Sequence, residues 1–291
     1  MSDRVAVIIP AYNAAQTLAD TLTALARQVG GVPSETIVVD NGSTDDTMEI
    51  ARRAGAQVLS ESRRGPAAAR NRGLFATDAG IIVHLDSDTV PSRRWLSAIV
   101  APFEDSACML VAGNTQCYPP RTAAERYVAQ SGLYDTPRAI GREVFPFAPS
   151  LNMAVRREAA ARIGGWNVEM LTGEDVDFSH RLITALATRI VYAPDAILYH
   201  RTRTDRASLV RQARSYGAGA AHLYRRYPSE LRWDRRKAFS LWKQMSGRML
   251  ARGSTRILAA LGRTDAGSIE FADYHWLWTS NFWRGFFEAA A

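Results

Sequence analysis

The first hundred residues alternate short apolar runs with longer amphipathic segments. Each apolar run is rich in β-branched residues and bounded by turn residues, which predicts strands at residues 5–9, 36–39, 57–59 and 81–85. The segments between them have apolar residues at helical spacing, which predicts helices at residues 14–28, from Ser43 or Thr44 to about 54, and 65–75. Strands that alternate with helices predict an α/β fold, with a mostly parallel sheet flanked by helices on both faces.

The alternation becomes irregular in the middle of the chain and gives way to helix after residue 205. The pattern predicts helices at residues 122–135 and 156–163 and another that begins at Thr172–Asp175, with strands at 147–155, 190–192 and 197–199. We therefore expect one domain over residues 1–204 and a helical extension over residues 205–291.

Charge separates the same two regions. Residues 1–200 carry a net charge of −3 (19 Arg against 22 Asp and Glu), whereas residues 201–291 carry +10 (15 Arg and 2 Lys against 7 Asp and Glu). A basic helical block of this kind suits anionic lipid, an acidic acceptor or nucleic acid, and it equally suits a solvated helical surface.

The remaining composition favours an ordinary cytoplasmic protein. No secretory signal is visible at the start of the chain, and no apolar run approaches the length of a membrane-spanning helix. Cys108 and Cys117 are the two cysteines, and they are expected to be reduced, packed thiols rather than a disulfide scaffold, although a bridge stays open.

Polar residues follow three of the predicted strands, in the order Pro10–Asn13, Asp40-Asn41 and Asp86-Ser87-Asp88. Ligands of open parallel sheets lie beyond the carboxyl ends of the strands, so these residues are expected to converge on one cleft. Two carboxylates at i and i+2 can hold Mg²⁺ or Mn²⁺, which would neutralise a diphosphate. By itself the Asp-Ser-Asp tripeptide is also an ordinary turn.

The ordered set of motifs is more specific than any one of them. VAVIIPAYN, VVDNGS, AAARNRG and HLDSDT occur in this order, followed by similarities over residues 151–182. Together they resemble the family 2 glycosyltransferases with a GT-A (Rossmann-like) fold, and the resemblance covers about two-thirds of the chain. It implies an inverting enzyme that uses Mn²⁺ or Mg²⁺ to move a sugar from a UDP-, GDP- or dTDP-sugar onto an acceptor hydroxyl.

On the donor side, the resemblance assigns Pro10, Ala11 and Tyr12 to the border of the nucleotide, with packing of the Tyr12 ring as the alternative. Asp40 would contact the nucleoside, and Asn41 departs from the commoner Asp-Asp pair but can still read a base edge. The remaining donor and metal positions are Arg70 near the diphosphate or sugar, followed by Asn71 in the family's Arg-Asn pattern, with Arg63, Arg64 and Arg72 as alternatives to Arg70. Asp86 and Ser87 would contact the ribose or the donor sugar. Asp88 and His200 would hold the metal, where His200 is equally a structural histidine.

On the acceptor side, the resemblance makes Asp175 the general base, with Glu174 supporting it or the acceptor. The alternative is that these acidic residues only stabilise a helix N-terminus, where Thr172 and Asp175 resemble a capping box. Trp166 is expected to wall the sugar or acceptor site, or else to lie in the core. His84 is expected to be structural.

The halves of the predicted domain follow from these assignments: a nucleotide-sugar half over residues 1–113 and an acceptor half over residues 114–204. The acceptor stays open among a glycan, a lipid-linked intermediate, a peptide and a small molecule, and nucleic acid is not expected. Aromatic and arginine residues in the C-terminal tail are expected to pack on the catalytic domain. They equally suit a cover over the acceptor, an oligomer contact, or peripheral contact with the cytoplasmic face of a membrane.

Two other functional classes are weaker. A nucleotidyltransferase would need a glycine-rich, basic phosphate loop near the first strand, and residues 10–16 lack one. A non-catalytic nucleotide-sugar-binding protein would be favoured if an acidic motif were broken, but both acidic motifs are intact.

Overall fold

A computed structural model describes residues 4–231 and 233–290. The chain forms two compact units, which we call the sheet unit and the helical unit. The sheet unit contains the described residues up to Tyr118 together with Tyr134–Arg201, and the helical unit contains Pro119–Leu133 and the described residues from Thr202 onward. The helical unit thus includes a segment, Pro119–Leu133, that lies inside the domain predicted for residues 1–204.

Eight strands of the described chain form one sheet: β1 Val5–Ala11, β2 Ser34–Asp40, β3 Gln57–Ser60, β4 Ile81–Leu85, β5 Thr89–Pro91, β6 Leu110–Cys117, β7 Asn152–Arg156 and β8 Ile190–His200. The helices of the sheet unit are α1 Leu18–Ala26, α2 Thr47–Arg53, α3 Pro66–Leu74, α4 Trp95–Val100, α6 Thr136–Ile140, α7 Arg157–Arg162 and α8 Glu174–Leu186. The helices of the helical unit are α5 Ala123–Ser131, α9 Arg206–Arg226, α10 Arg235–Ala260 and α11 Ala266–Ala290.

The strand order is β3-β2-β1-β4-β7-β6-β8-β5. The first four strands in this order run parallel, β7 is antiparallel to both β4 and β6, β6 and β8 are parallel, and β5 is antiparallel to β8. This mixed sheet flanked by helices confirms the predicted α/β class. Its parallel half places the ends of β1, β2 and β4 at one edge, where the polar motifs follow.

Both faces of the sheet are buried, which explains why its central strands read as continuous apolar runs. Along β1, Val5, Val7 and Ile9 belong to one core cluster, whereas Ala6 and Ile8 belong to the cluster on the other face. The alternation follows from the period of two in a strand. The strand predicted at residues 147–155 is wrong over residues 147–151, because Pro149 cannot donate a ladder hydrogen bond.

In the helical unit, α9 and α11 pack in close contact through two glycines. A Cβ atom at Gly217 would overlap the carbonyl oxygen of Phe282, and one at Gly285 would overlap that of Arg214. Arg126 of α5 also forms a bidentate ion pair with Glu270 of α11, with N–O distances of 2.8 Å. Within the described residues, no helix is both long and apolar enough to cross a membrane.

We expect Gly217→Ala to lower the free energy of unfolding by about 1–3 kcal/mol, because the added methyl forces two backbones apart. Gly253→Ala is the matched control, since Gly253 also lies in a helix of this unit and a Cβ there meets nothing within 4 Å. That substitution should stabilise the chain by about 0.5–1 kcal/mol through helix propensity. Urea unfolding checks both changes, and equal effects would contradict the close packing of α9 on α11.

Candidate active site

The ends of β1 and β2 are tied together by hydrogen bonds between the loops that follow them. The Asn41 N–H donates to the Ala11 carbonyl at 2.8 Å, and the Asn13 N–H donates to the Ser43 hydroxyl at 2.9 Å. The Asn13 side chain in turn accepts from the Thr44 N–H at 2.8 Å. Ser43 and Thr44 therefore connect the loops and do not cap α2, whose N-cap residue is Asp46.

Asp40 and Asn41 are both buried at this edge and are used within the protein. The Asp40 carboxylate accepts from the backbone N–H groups of Gly42 and Ser43, which forms a tight turn. The Asn41 amide donates to the carbonyls of Glu61 and Arg63 and accepts from the Gly65 N–H. Because these bonds use both donors and one lone pair of the acceptor, Asn41 shapes the loop, and its amide has no free N–H for a base edge in this conformation.

Tyr12 lies in the open at the end of β1, with half of its surface exposed. The Arg64 guanidinium lies over the ring, 3.6 Å from its centroid, and also donates to the Asn41 carbonyl at 2.8 Å. The packed alternative for Tyr12 is therefore wrong, and the ring is placed where a planar group can stack on it. Ala11 before it is buried and Pro10 is half-buried, so both shape the backbone at the strand end.

Arg70 is the electrostatic centre of the site. Its side chain is almost completely buried and bonds Glu174 Oε1 at 2.8 Å and Asp86 Oδ1 at 2.9 Å. Its guanidinium also lies 5.0 Å from the Trp166 ring centroid. The arginine expected near the donor diphosphate thus joins the acidic motif after β4 to the acidic start of α8, and its single positive charge is shared between the two carboxylates.

Trp166 lies in the core, and its assignment to the wall of an acceptor site is wrong. The indole is 2% exposed, stacks on Phe178 with ring centroids 4.2 Å apart, and meets His84 edge-on at 5.0 Å. Asn71 fixes its backbone by accepting from the Trp166 N–H and donating to its carbonyl. Trp166 therefore forms an apolar wall beside Arg70. His84 is fully buried there, as expected of a structural histidine, and burial lowers its pKa well below the usual range.

Glu174 and Asp175 begin α8 but differ in their surroundings. Glu174 is buried against Arg70, whereas Asp175 keeps part of its surface exposed and accepts from the Ser150 N–H at 3.4 Å and the Val176 N–H at 2.9 Å. The N-cap residue of α8 is Gly173, so the helix begins one residue later than a capping box at Thr172 requires. Burial raises the pKa of both carboxyls, and the charge of Asp175 raises that of Glu174 further, while Arg70 opposes both shifts.

Asp88 and His200 meet where β5 pairs with β8. His200 Nε2 lies 3.4 Å from Asp88 Oδ1, and the imidazole packs against the Tyr134 ring at 4.5 Å between centroids. His200 Nδ1 is buried and has no hydrogen-bond partner among the described residues. Two ligands at right angles in an octahedral shell of 2.1 Å radius lie about 3 Å apart, so this pair fits one divalent cation.

The other two residues of the acidic motif lie close by. Asp86 and Ser87 are both half-buried. The Asp86 carbonyl accepts from the Thr89 hydroxyl at 2.6 Å and the Ser87 carbonyl from the Thr21 hydroxyl at 3.1 Å, which fixes the turn after β4. Within the described part of the chain, no group of three His, Cys, Asp or Glu is placed to hold a metal. Asp88 and His200 are therefore a partial ligand set that substrate oxygens or water would have to complete.

The sheet order, the motif positions and this cluster of carboxylates agree with a comparison against protein families. The model of glycosyl transferase family 2 matches residues 6–164, more than half of the chain. The chain belongs to glycosyltransferase family 2. The predicted family and the predicted class of enzyme are thereby confirmed.

The chain is also similar to curated glycosyltransferases. The chain is 32% identical to Glycosyltransferase AglE of Haloferax volcanii over 72% of this chain and 71% of that protein. It is 33% identical to the Pre-mycofactocin glycosyltransferase of Mycobacterium tuberculosis over 78% of this chain. The alignment spans 48% of the mycobacterial protein, which is therefore about twice as long as the matched region.

Solved structures share the fold. The mannosyltransferase PcManGT of Pyrobaculum calidifontis, solved with GDP-Man and Mn²⁺, aligns with a TM-score of 0.67 at 20% identity and covers 99% of this chain and 87% of its own. The glucosyl-3-phosphoglycerate synthase of Mycobacterium tuberculosis, solved with Mn²⁺, UDP-Glc and phosphoglyceric acid, aligns with a TM-score of 0.55 at 26% identity. That alignment covers 77% of this chain and 79% of the synthase.

Three further residues of this family 2 glycosyltransferase shape the site. Arg64 lies over Tyr12, Asn71 fixes the Trp166 backbone, and the Ser150 N–H donates to Asp175. The sequence pointed to Arg64 and Asn71 through their position near the GPAAARNRG segment, but not to these contacts. Ser150 carried no such signal, because its backbone N–H acts and not its side chain.

Proposed function

We propose that the enzyme is an inverting, metal-dependent glycosyltransferase that moves a sugar from a nucleoside-diphosphate sugar to an acceptor hydroxyl. The observation that carries the proposal is the ion-pair chain Asp86–Arg70–Glu174, buried at Arg70 and Glu174, with Asp175 beside it. It connects the polar end of β4 to the carboxylates of α8 through bonds of 2.8 and 2.9 Å. A donor group bound at the polar end of β4 and an acceptor hydroxyl bound at the carboxylates of α8 would meet over Arg70.

The donor side of the proposal uses the strand ends. Tyr12 offers an exposed ring for the base, and Asp40 with Asn41 sets the loop beneath it. Asp86 and Ser87 would contact the ribose or the donor sugar. The two solved relatives contain GDP-Man and UDP-Glc, which supports a UDP-, GDP- or dTDP-sugar as the class of donor.

Asp88 and His200 would hold Mn²⁺ or Mg²⁺. A bound divalent cation would neutralise charge on the leaving diphosphate. The carboxylate and the imidazole suit such an ion, and both solved relatives contain Mn²⁺. The protein supplies two ligands 3.4 Å apart, so donor phosphate oxygens and water would complete the shell.

Asp175 would act as the general base. Its carboxylate is partly exposed, so an acceptor hydroxyl can reach it, whereas Glu174 is enclosed against Arg70. Asp175 would take the hydroxyl proton as the acceptor oxygen attacks the anomeric carbon, while the bond from that carbon to the diphosphate oxygen breaks. Attack opposite the leaving group inverts the configuration. The raised pKa of Asp175 makes it a stronger base than an ordinary carboxylate.

The pH profile should show this raised pKa. A carboxyl with a raised pKa takes up its proton at higher pH, so kcat/KM should fall with acidity at a pH above the usual value of about 4. Initial rates from about pH 4 to pH 9 at saturating metal check it. A rate that stays constant down to about pH 4 would contradict a base with a raised pKa.

Metal-dependent donor binding tests the proposal before any acceptor is known. Asp88→Ala should weaken binding of UDP or GDP in the presence of Mn²⁺ by about tenfold or more, because a metal ligand and its hold on the diphosphate are lost. Calorimetry on the full chain measures this, with exposed Asp195→Asn as the control variant. Equal nucleotide binding with and without Mn²⁺ would refute the metal site. If the chain binds neither UDP nor GDP, with or without Mn²⁺, a function with a different ligand is favoured.

The proposed function also includes a division of the chain, a class of acceptor and a peripheral membrane contact. Residues 1–204 would be the catalytic domain, with a donor half to about residue 113 and an acceptor half from residue 114. The acceptor would be a glycan, a lipid-linked intermediate, a peptide or a small molecule. The extension over residues 205–291 would contact the cytoplasmic face of a membrane peripherally.

A further inference from the structure

Helix α10 and its C-cap residue expose a long apolar stripe. The stripe consists of six large apolar side chains that are each 56–70% exposed: Phe239, Trp242, Met249, Leu250, Ile257 and Leu261. At 3.6 residues per turn they fall within an arc of about 120°. A stripe of this width is what an amphipathic helix normally buries, so its exposure indicates a binding surface.

The orientation of α10 within the helical unit is set by contacts on another face. Arg252 and Arg256 both form ion pairs with Asp273 of α11, and Arg248 donates to the Thr279 hydroxyl. Arg248, Arg252 and Arg256 thus attach α10 to α11. The apolar stripe is therefore on a part of the helix that does not pack within the unit.

The charge around the stripe has one sign. Residues 235–264 contain eight basic residues and no acidic residue: Arg235, Arg236, Lys237, Lys243, Arg248, Arg252, Arg256 and Arg263. Arg236, Lys243 and Arg263 are exposed. A second copy of this chain would bring the same charges to the stripe, and the two would repel. An anionic surface complements both the apolar stripe and the cations.

The aromatic residues of α11 are engaged differently. Trp278 packs edge-on against Tyr216, and Phe286 against Tyr224, with ring centroids 5.7 and 5.4 Å apart. Phe286 is 4% exposed, whereas Phe287 remains 48% exposed. The aromatic tail thus serves mainly to pack α11 on α9, and the larger exposed apolar surface belongs to α10.

We infer that α10 lies in the plane of an anionic membrane, with the stripe from Phe239 to Leu261 at the boundary of headgroups and acyl chains. The inference deepens the peripheral membrane contact in the proposed function and assigns it to α10 instead of the C-terminal tail. Insertion of apolar side chains supplies affinity in proportion to the area buried, and the flanking Lys and Arg side chains add attraction to acidic lipids.

Vesicle flotation of the full chain tests the inference without donor, metal or acceptor. Phosphatidylcholine vesicles with phosphatidylglycerol should carry the protein to the top of the gradient, and phosphatidylcholine alone should carry at least about tenfold less. The triple variant Phe239→Ser, Trp242→Ser, Leu250→Ser should lose at least about tenfold in binding to the acidic vesicles. These side chains are exposed, so far-ultraviolet circular dichroism should stay unchanged.

The matched control is Phe287→Ser, which removes an exposed aromatic from α11 and should leave flotation unchanged. Loss of flotation in Phe287→Ser but not in the triple variant would overturn the assignment to α10. Absence of flotation of the intact chain would also overturn it. If ultracentrifugation instead shows a dimer that the triple variant dissociates, the stripe is a contact between copies and the inference fails.

A second readout locates Trp242 itself. The chain has seven tryptophans, so quenching by brominated lipids is compared between the intact protein and Trp242→Phe. The variant should bind acidic vesicles equally but show less quenching. Equal quenching would place Trp242 outside the bilayer. Because these tests use no substrate, their failure leaves the transferase proposal standing, and failure of the transferase tests leaves the lipid contact standing.

Discussion

Asp175→Asn is expected to lower kcat by about 10³-fold, because the amide cannot take the acceptor proton and a general base contributes about 10²–10⁴. The substitution preserves the shape of the side chain at the start of α8, and it leaves the proposed donor contacts at the ends of β1, β2 and β4 in place. Binding of the nucleotide with Mn²⁺ should therefore change by less than about twofold. Steady-state kinetics and calorimetry separate the two quantities.

The neighbouring carboxylate provides a comparison. Glu174→Gln should bind the donor as tightly as the wild-type protein does. It should also change the pairing of Arg70, since Glu174 accepts from the guanidinium at 2.8 Å. A loss confined to kcat is thus expected for Asp175→Asn, and a loss of both kcat and stability for Glu174→Gln. If Asp175→Asn retains more than about a tenth of the wild-type kcat, Asp175 is not the base and the mechanism needs another group.

Arg70→Met should lower the free energy of unfolding by about 3–5 kcal/mol, because it leaves the Glu174 carboxylate buried without its cation. The figure rests on Glu174, whose side chain is 9% exposed, since Asp86 is more exposed and water can replace part of that pairing. Activity should be lost as well, because Arg70 sets the position of both acidic groups. Urea unfolding at neutral pH measures the change.

Arg63→Met is the matched control for Arg70→Met. Arg63 pairs with Glu169 at 2.6 Å, but both side chains are more than half exposed, so the loss should be below about 1 kcal/mol. The double variant Arg70→Met, Glu174→Gln should recover part of the stability, because the unpaired buried charge is gone. Equal losses for Arg70→Met and Arg63→Met would show that the buried pairs do not stabilise the fold. If Arg70→Met does not fold, Arg70→Lys serves as the milder variant.

The sequence predicted the parallel half of the sheet well because β1, β4 and the second half of β2 are buried and are rich in β-branched, apolar residues. Two other strands, β5 and β6, were not predicted. β5 has three residues and ends at Pro91, and β6 contains Gly113 and Asn114 at the point where its register with β8 shifts. Their pairing depends on neighbours far along the chain and not on local pattern.

The residues of the site were also predicted only in part. Its carboxylates could be found because they follow predicted strands or begin a predicted helix. The partners of these carboxylates could not, because the ion pairs of Arg70 join residues 16 and 104 positions apart. The core location of Trp166 likewise depends on Phe178 and His84, since an indole suits a sugar-binding wall and a core equally well. The stripe on α10 was missed because an apolar helical face reads alike whether it is covered or exposed.

Release of free nucleoside diphosphate from a panel of nucleotide-sugars, with candidate acceptors and Mn²⁺, tests the central claim most directly. Release is expected from one class of donor. It should stop when the metal is chelated and should be absent in the variant Asp88→Ala. It should continue in the control variant Asp195→Asn, whose substituted residue is exposed. Release that persists in Asp88→Ala or without metal would contradict the metal-dependent transfer proposed for this site.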